Sequence, residues 1–251
     1  MSKRKRSESN GNGNNELNRS ENQSPAQRKT SVISKLTLKA LNENQKKAIK
    51  SISFNKITII TGPSGSGKTH ISSVYGLMEV LRGKYKKLII TRPCVEAYGE
   101  TMGFLPGDIL AKSFPYITPV LDIFGEFLSS SEINKLISEG LISVVPFAFM
   151  RGNNFKNVFV VAEESQNTTP KQMHLFLTRL GENSKMVING DLAQSDIQNN
   201  MNGLQDALQK FRNIDGIGIV EMSRQDIVRD PLVQTIVEIY EKEEREKDLP
   251  I

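Results

Sequence analysis

Short, continuously apolar runs recur along the chain, and stretches with helical spacing separate them. Ile57-Thr58-Ile59-Ile60, Lys87-Leu88-Ile89-Ile90-Thr91 and Leu141-Ile142-Ser143-Val144-Val145 predict the first three strands. Val158-Phe159-Val160-Val161, Met186-Val187-Ile188-Asn189 and Gly218-Ile219-Val220-Glu221-Met222 predict three more. Runs that are apolar on both side-chain faces suit parallel strands covered by helices on both sides. Helices are predicted over 70–81, 169–180, 203–211 and 231–242, and Asn42 followed three residues later by Gln45 marks a capped helix start. The pattern predicts one α/β domain over residues 31–251, with a helical excursion at about 95–140.

Residues 1–30 break this pattern. They are mostly Asn, Ser, Gly, Glu, Gln, Lys and Arg, without the apolar surface that offsets the entropy of ordering a backbone, and they predict a disordered tail. The tail holds seven Lys and Arg against three Glu, so it carries most of the chain's net charge of +5. It can contact phosphates or simply be solvated, and the nearly neutral body gives no electrostatic argument for nucleic acid. No run reaches the about 18 apolar residues of a membrane span. No apolar segment follows Lys3-Arg4-Lys5-Arg6, as a secretion signal requires, and Cys94 is the sole cysteine. The expected setting is the cytoplasm, without membrane contact.

One eight-residue string carries specific chemistry. Gly62-Pro63-Ser64-Gly65-Ser66-Gly67-Lys68-Thr69 matches G-x-x-x-x-G-K-T in full, between a predicted strand and a predicted helix. Glycines there let backbone N–H groups point at a phosphate, at the positive end of the following helix. Lys68 is placed to reach the β- and γ-phosphates and Thr69 to ligate Mg²⁺. A nucleoside triphosphate and Mg²⁺ are therefore expected.

Such a site needs an acid from another strand end. The run from Val158 to Ala162 ends in Glu163-Glu164, which assigns Glu163 to the metal or its water and Glu164 to polarising the attacking water. The alternative is a solvated turn before a helix. A further strand end gives Asn189-Gly190-Asp191-Leu192-Ala193-Gln194, where Gln194 is placed to sense the γ-phosphate or the water.

With these motifs in view, the chain resembles the PhoH-like ATPases from about Ile57 to Tyr240. The resemblance rests on Thr91-Arg92-Pro93, Gly103-Phe104-Leu105-Pro106-Gly107-Asp108, Met150-Arg151-Gly152 and Ser165-Gln166-Asn167-Thr168-Thr169-Pro170. Phe176-Leu177-Thr178-Arg179 and Asp226-Ile227-Val228-Arg229-Asp230-Pro231-Leu232-Val233 add to it. It implies a P-loop NTPase with a RecA-like, mainly parallel sheet, similar to the first domain of superfamily 1 helicases. It also implies ATP binding, Mg²⁺-dependent hydrolysis, and RNA or single-stranded DNA as partner. Gln45 resembles the adenine-reading glutamine of those helicases, and its other reading is a helix cap. Two positions depart from the family pattern: Glu163 stands where Asp is usual, and Asp230 where His is usual.

Arg92, Arg151, Arg179, Arg224 and Arg229 are candidates to complete the charge clamp, with Arg224 and Arg229 preferred because they flank the last predicted strand and helix. A single core domain leaves such an arginine to a neighbouring subunit, so a homo-oligomer is expected, with a hexamer suggested by the family. Met102–Gly107 and the loop from Met150 through Asn154 to Phe155 and Lys156 are candidate nucleic-acid contacts. Phe155 is read there either as a stacking ring or as a core residue. Two other functions stay open: a slow or inactive regulatory ATP-binding module, and a small-molecule kinase.

Overall fold

The computed structural model describes residues 24–93, 118–150, 154–197 and 201–228, together with 232, 233, 235, 236 and 239. Its helices are α1 (Pro25–Lys35), α2 (Glu43–Phe54), α3 (Lys68–Leu81), α4 (Ser130–Ser138), α5 (Pro170–Leu177) and α6 (Gly203–Phe211). Its strands are β1 (Ile57–Thr61), β2 (Lys87–Thr91), β3 (Ile142–Val144), β4 (Val158–Ala162), β5 (Lys185–Gly190) and β6 (Ile217–Glu221). The strands form one sheet in the order β3-β2-β4-β5-β1-β6, and every pair is parallel. The fold is α/β, as the strand pattern predicts, and of the RecA-like P-loop type that the family resemblance implies.

Side chains alternate across the sheet with the two-residue period of a strand. Ile60, Leu88, Ile90, Phe159, Val161 and Val187 face one core, where they meet Val32 of α1, Leu36 just past its end, Ile52 of α2 and Leu77 of α3. Ile57, Ile59, Ile89, Val160, Met186 and Ile188 face the other, against Met173 and Phe176 of α5 and Leu204 of α6. Complete burial of side chains such as Phe159 and Ile188 is worth roughly 1.5–3 kcal/mol each in removed apolar surface. The sheet therefore acts as a rigid plate from whose carboxyl edge the polar turns project.

Local signals set the element ends. Asn42 caps α2 by accepting from Gln45 N at 2.8 Å, as the Asn42/Gln45 spacing predicts. Thr169 caps α5, with Gln172 completing a reciprocal cap and proline in the first turn, and the helix stops at Leu177, short of the predicted 180. The third strand is likewise shorter than its apolar run, Ile142–Val144.

One boundary is corrected. Residues 25–30, assigned from composition to the disordered tail, begin helix α1, whose cap is Ser24. That helix is ordered by packing: Val32 and Leu36 are 3% and 4% exposed. The rest of the tail lies outside the described residues, as do 94–117 of the excursion. The later part of the excursion is helical at 118–125 and in α4. Of the predicted helix 231–242, the described residues 232, 233, 235, 236 and 239 are helical. Among the described residues no helix is long and apolar enough to cross a membrane.

Candidate active site

The strand order determines what can meet. β5 lies between β1, which leads into the glycine-rich loop, and β4, which leads into the two glutamates. The carboxyl ends of three adjacent strands thus converge on one cleft of about 240 Å³. Its walls are the loop, Glu163, Glu164, Asn189, Asp191 and Gln194.

The loop is held open by backbone geometry. Gly62, Gly65 and Gly67 have φ of 147°, 83° and 87°, values that L side chains rarely adopt. A Cβ on Gly62 would stand 2.5 Å from Met222 O, so the loop passes against the end of β6 with no room for a side chain. Gly67 is the N-cap of α3 and gives no side-chain cap, which leaves the first-turn N–H groups and the positive helix end directed at the loop. Lys68 Nζ donates to Gly62 O at 2.6 Å and Pro63 O at 2.8 Å. Ser64 N donates to the Asp191 carboxylate at 3.2 Å, so a loop amide already binds an anion from the protein itself.

The acid predicted for the metal meets its partner. Thr69 Oγ1 donates to Glu163 Oε2 at 2.8 Å. Asn189, near the carboxyl end of β5, donates from Nδ2 to Glu163 Oε1 at 2.8 Å and to Ser72 Oγ at 2.7 Å. Burial pushes the Glu163 carboxyl up, and the Glu164 charge adds to this, while the hydrogen bonds from Asn189 and Thr69 and the Lys68 charge oppose it. Glu163 is 9% exposed. A buried carboxylate in this balance gains from a cation beside it.

The donor set fits Mg²⁺. Thr69 and Glu163 offer hard oxygens, and Asn189 Oδ1 is buried without a hydrogen-bond partner among the described residues. No cluster of three or more His, Cys, Asp or Glu suited to a metal occurs among the described residues. Mg²⁺ matches such a sparse set, because it binds through one or two protein oxygens and completes its shell with water and phosphate.

Glu164 points elsewhere. Its backbone is left-handed, with φ of 52°, an uncommon state for a residue other than glycine. Oε2 accepts from Gln166 Nε2 at 2.6 Å, and Oε1 lies 3.9 Å from Arg92 Nη2. Gln194 lines the same cleft, in the turn that Asp191 caps by accepting from Ala193 N.

Gln45, Arg224, Arg179 and Phe155 do not line the cleft. Gln45 is 4% exposed, and both ends of its amide are engaged inside the chain. Nε2 donates to Ser66 O at 3.1 Å and Oε1 accepts from Leu41 N at 2.8 Å, which joins α2 to the loop. Arg224 is exposed in the turn after β6 and does not line the cleft. That turn is nonetheless tied to the loop, because Val228 N donates to Gly65 O at 3.0 Å. Arg229 and Arg151 lie outside the described residues. Arg179 lies at the end of α5, its Nε donating to Leu175 O at 3.4 Å. Phe155 is 4% exposed and packs on Phe176, so the core reading of this ring holds and the stacking reading does not.

Sequence reasoning named Asp191 and Gln166 only as letters of motifs and Asn189 only as part of a strand. Polar side chains at the ends of buried strands are the signal that marks all three, since nothing apolar explains them.

The PhoH-like protein family model matches residues 37–241. A PhoH-like protein of Synechocystis is 42% identical over 208 residues, covering 82% of this chain and 63% of that one. A PhoH-like protein of Bacillus subtilis is 41% identical over 200 residues, covering 79% and 62%. Protein PhoH of Escherichia coli is 39% identical over 204 residues, covering 80% and 57%. In each case the match spans under two thirds of the relative's length. Among solved structures, the UvsW helicase from Bacteriophage T4 aligns with a TM-score of 0.44 at 13% identity, over 72% of this chain and 59% of that one. The glycine-rich loop, the paired glutamates and the Gly-Asp-x-x-Gln turn all fall inside the matched region, and the chain belongs to the PhoH-like protein family.

Proposed function

We propose that this chain binds ATP with Mg²⁺ and hydrolyses it, and that turnover is coupled to RNA or single-stranded DNA. The observation that carries the reading is the meeting of Thr69 with Glu163 beneath an open glycine-rich loop. Family membership supports ATP as the nucleotide.

In this reading the loop amides and the positive end of α3 bind the phosphates. Lys68 turns from Gly62 O and Pro63 O toward the β- and γ-phosphates. Thr69 and Glu163 would hold the metal, which would supply charge neutralisation to the phosphates. Glu164 accepts a proton from water or orients it for in-line attack, and Gln194 contacts the water or γ-phosphate from the turn after β5. Arg224, in the turn after the last strand, and Arg229, five residues further along the sequence, serve a clamp completed between subunits of a homo-oligomer.

A second reading is a slow, regulatory nucleotide-binding module. The identity of Glu163 favours it, because a glutamate is one methylene longer than the aspartate usual in the family and shifts the carboxylate that would share a metal with Thr69. ATPase rates with and without single-stranded RNA and DNA, across a salt series, separate the two. Stimulation by either polymer supports coupling, whereas ATP binding with negligible turnover under all conditions selects the regulatory module.

A further inference from the structure

Gln166 is 1% exposed, yet it is polar and hydrogen-bonds three residues that line the cleft. Its Nε2 donates to Glu164 Oε2 at 2.6 Å and to Gln194 O at 3.3 Å. Its Oε1 accepts from Asp191 N at 3.0 Å. Asp191 in turn accepts from Ser64 N in the phosphate loop at 3.2 Å. A hydrogen-bonded path therefore runs from Ser64 through Asp191 and Gln166 to Glu164, across the ends of β1, β5 and β4.

A side-chain amide meets these demands together. It offers a donor to a carboxylate and an acceptor to a backbone N–H on one planar group. The neighbouring strand makes room for it: a Cβ on Gly190 would lie 2.9 Å from Gln166 Oε1 and 3.1 Å from its N. The Glu164 side chain is 37% exposed, and its charged neighbour Arg92 is at 3.9 Å, beyond hydrogen-bond length. The 2.6 Å contact with Gln166 is thus the short, charge-assisted one.

From this we infer that Gln166 is a positioning residue that holds the Glu164 carboxylate in register with the phosphate loop, through Asp191. The inference rests on Glu164 acting on water. A phosphate at the loop competes with Asp191 for Ser64 N, so loop occupancy is transmitted to the carboxylate through two further hydrogen bonds.

Two variants of the full chain test this. Gln166→Met keeps the volume and removes both polar ends. Gln166→Glu keeps an acceptor for Asp191 N and replaces the donor to Glu164 with a carboxylate. Both are expected to lower kcat about tenfold or more, in line with the steep cost of misplacing a reacting group. The Kd for a fluorescent ATP analogue should stay within about twofold, so that the loss falls on kcat rather than binding. Hydrogen exchange at the Asp191 amide should speed up in Gln166→Met and stay protected in Gln166→Glu. Undiminished kcat in Gln166→Glu overturns the inference. If the wild type shows no turnover, the proposed function fails, and the contact is tested by NMR alone. Glu164→Ala must then shift the Gln166 side-chain NH₂ resonances, and no shift overturns the inference.

Discussion

Thr69 Oγ1 and Glu163 Oε2 are 2.8 Å apart although 94 positions separate them in sequence. One stands at the start of α3 and the other just past the end of β4, with β5 between their strands. Asn189 at the end of β5 fills that gap by donating to Glu163. This contact makes the loop and the acidic turn one site, and it sets the terms on which the chain can be tested.

Lys68→Ala should weaken ATP binding about 10- to 100-fold, the range expected from losing one hydrogen bond to a charged group of roughly 1.5–3 kcal/mol. Equilibrium titration with a fluorescent ATP analogue measures it. An unchanged Kd would mean that Lys68 stays on Gly62 O and Pro63 O when nucleotide binds.

Glu164→Gln keeps shape and removes charge. Turnover should fall about 10²- to 10⁴-fold, the usual contribution of general acid–base catalysis, with ATP affinity nearly unchanged. Steady-state kinetics beside a binding titration shows the split. Equal turnover in the two proteins would exclude Glu164 as the group that acts on water.

Glu163→Asp shortens the side chain by one methylene and opens the space now bridged to Thr69. A displacement of about 1 Å near reacting atoms can cost about a hundredfold, so the aspartate is expected to raise Mg²⁺-dependent kcat by about tenfold or more. Rates measured over a Mg²⁺ series decide it. A lower rate in the aspartate variant would mean that the rest of the site has adapted to glutamate.

Glu79 on α3 gives a pH signature unrelated to turnover. Burial pushes its carboxyl up, but the hydrogen bonds and charges of Lys84 and Arg82 outweigh burial and hold it below the ordinary 4.5. A carboxyl held low in the folded state stabilises the fold above its ordinary value, and that contribution is lost as pH falls through the lowered one. Glu79→Gln should therefore be less stable at neutral pH and approach the wild type once pH drops well below 4.5. Urea unfolding at several pH values tests this, and a gap that stays constant with pH would contradict it.

Gly76→Ala probes the packing under the loop helix. A Cβ at this position would lie 2.7 Å and 2.8 Å from ring atoms of Phe159 and 2.9 Å from Leu88 Cδ1. Alanine gains about 1 kcal/mol in helix propensity over glycine, whereas overpacking a core costs about 1–3 kcal/mol. Net destabilisation is expected, read as a lower urea midpoint. A stabilised variant would show that α3 can lift from the sheet at no cost.

The phosphate loop was legible from the sequence because its eight positions are contiguous and its chemistry is local: glycines for the φ values of Gly62, Gly65 and Gly67, then Lys68 and Thr69. All six strands were legible too, since parallel strands buried on both faces need unbroken apolar runs. The start of helix α1 was not, because residues 25–30 hold no large apolar side chain, and the helix is ordered through Val32, further along, which packs in the core with the neighbouring helices. Tertiary structure also turned the Gln45 amide inward onto Ser66 O, placed Phe155 in the core, and joined Ser64, Asp191, Gln166 and Glu164. Contacts of that kind depend on which strand ends become neighbours. Strand order is settled by the free energy of the whole packed sheet, and no local stretch of sequence records it.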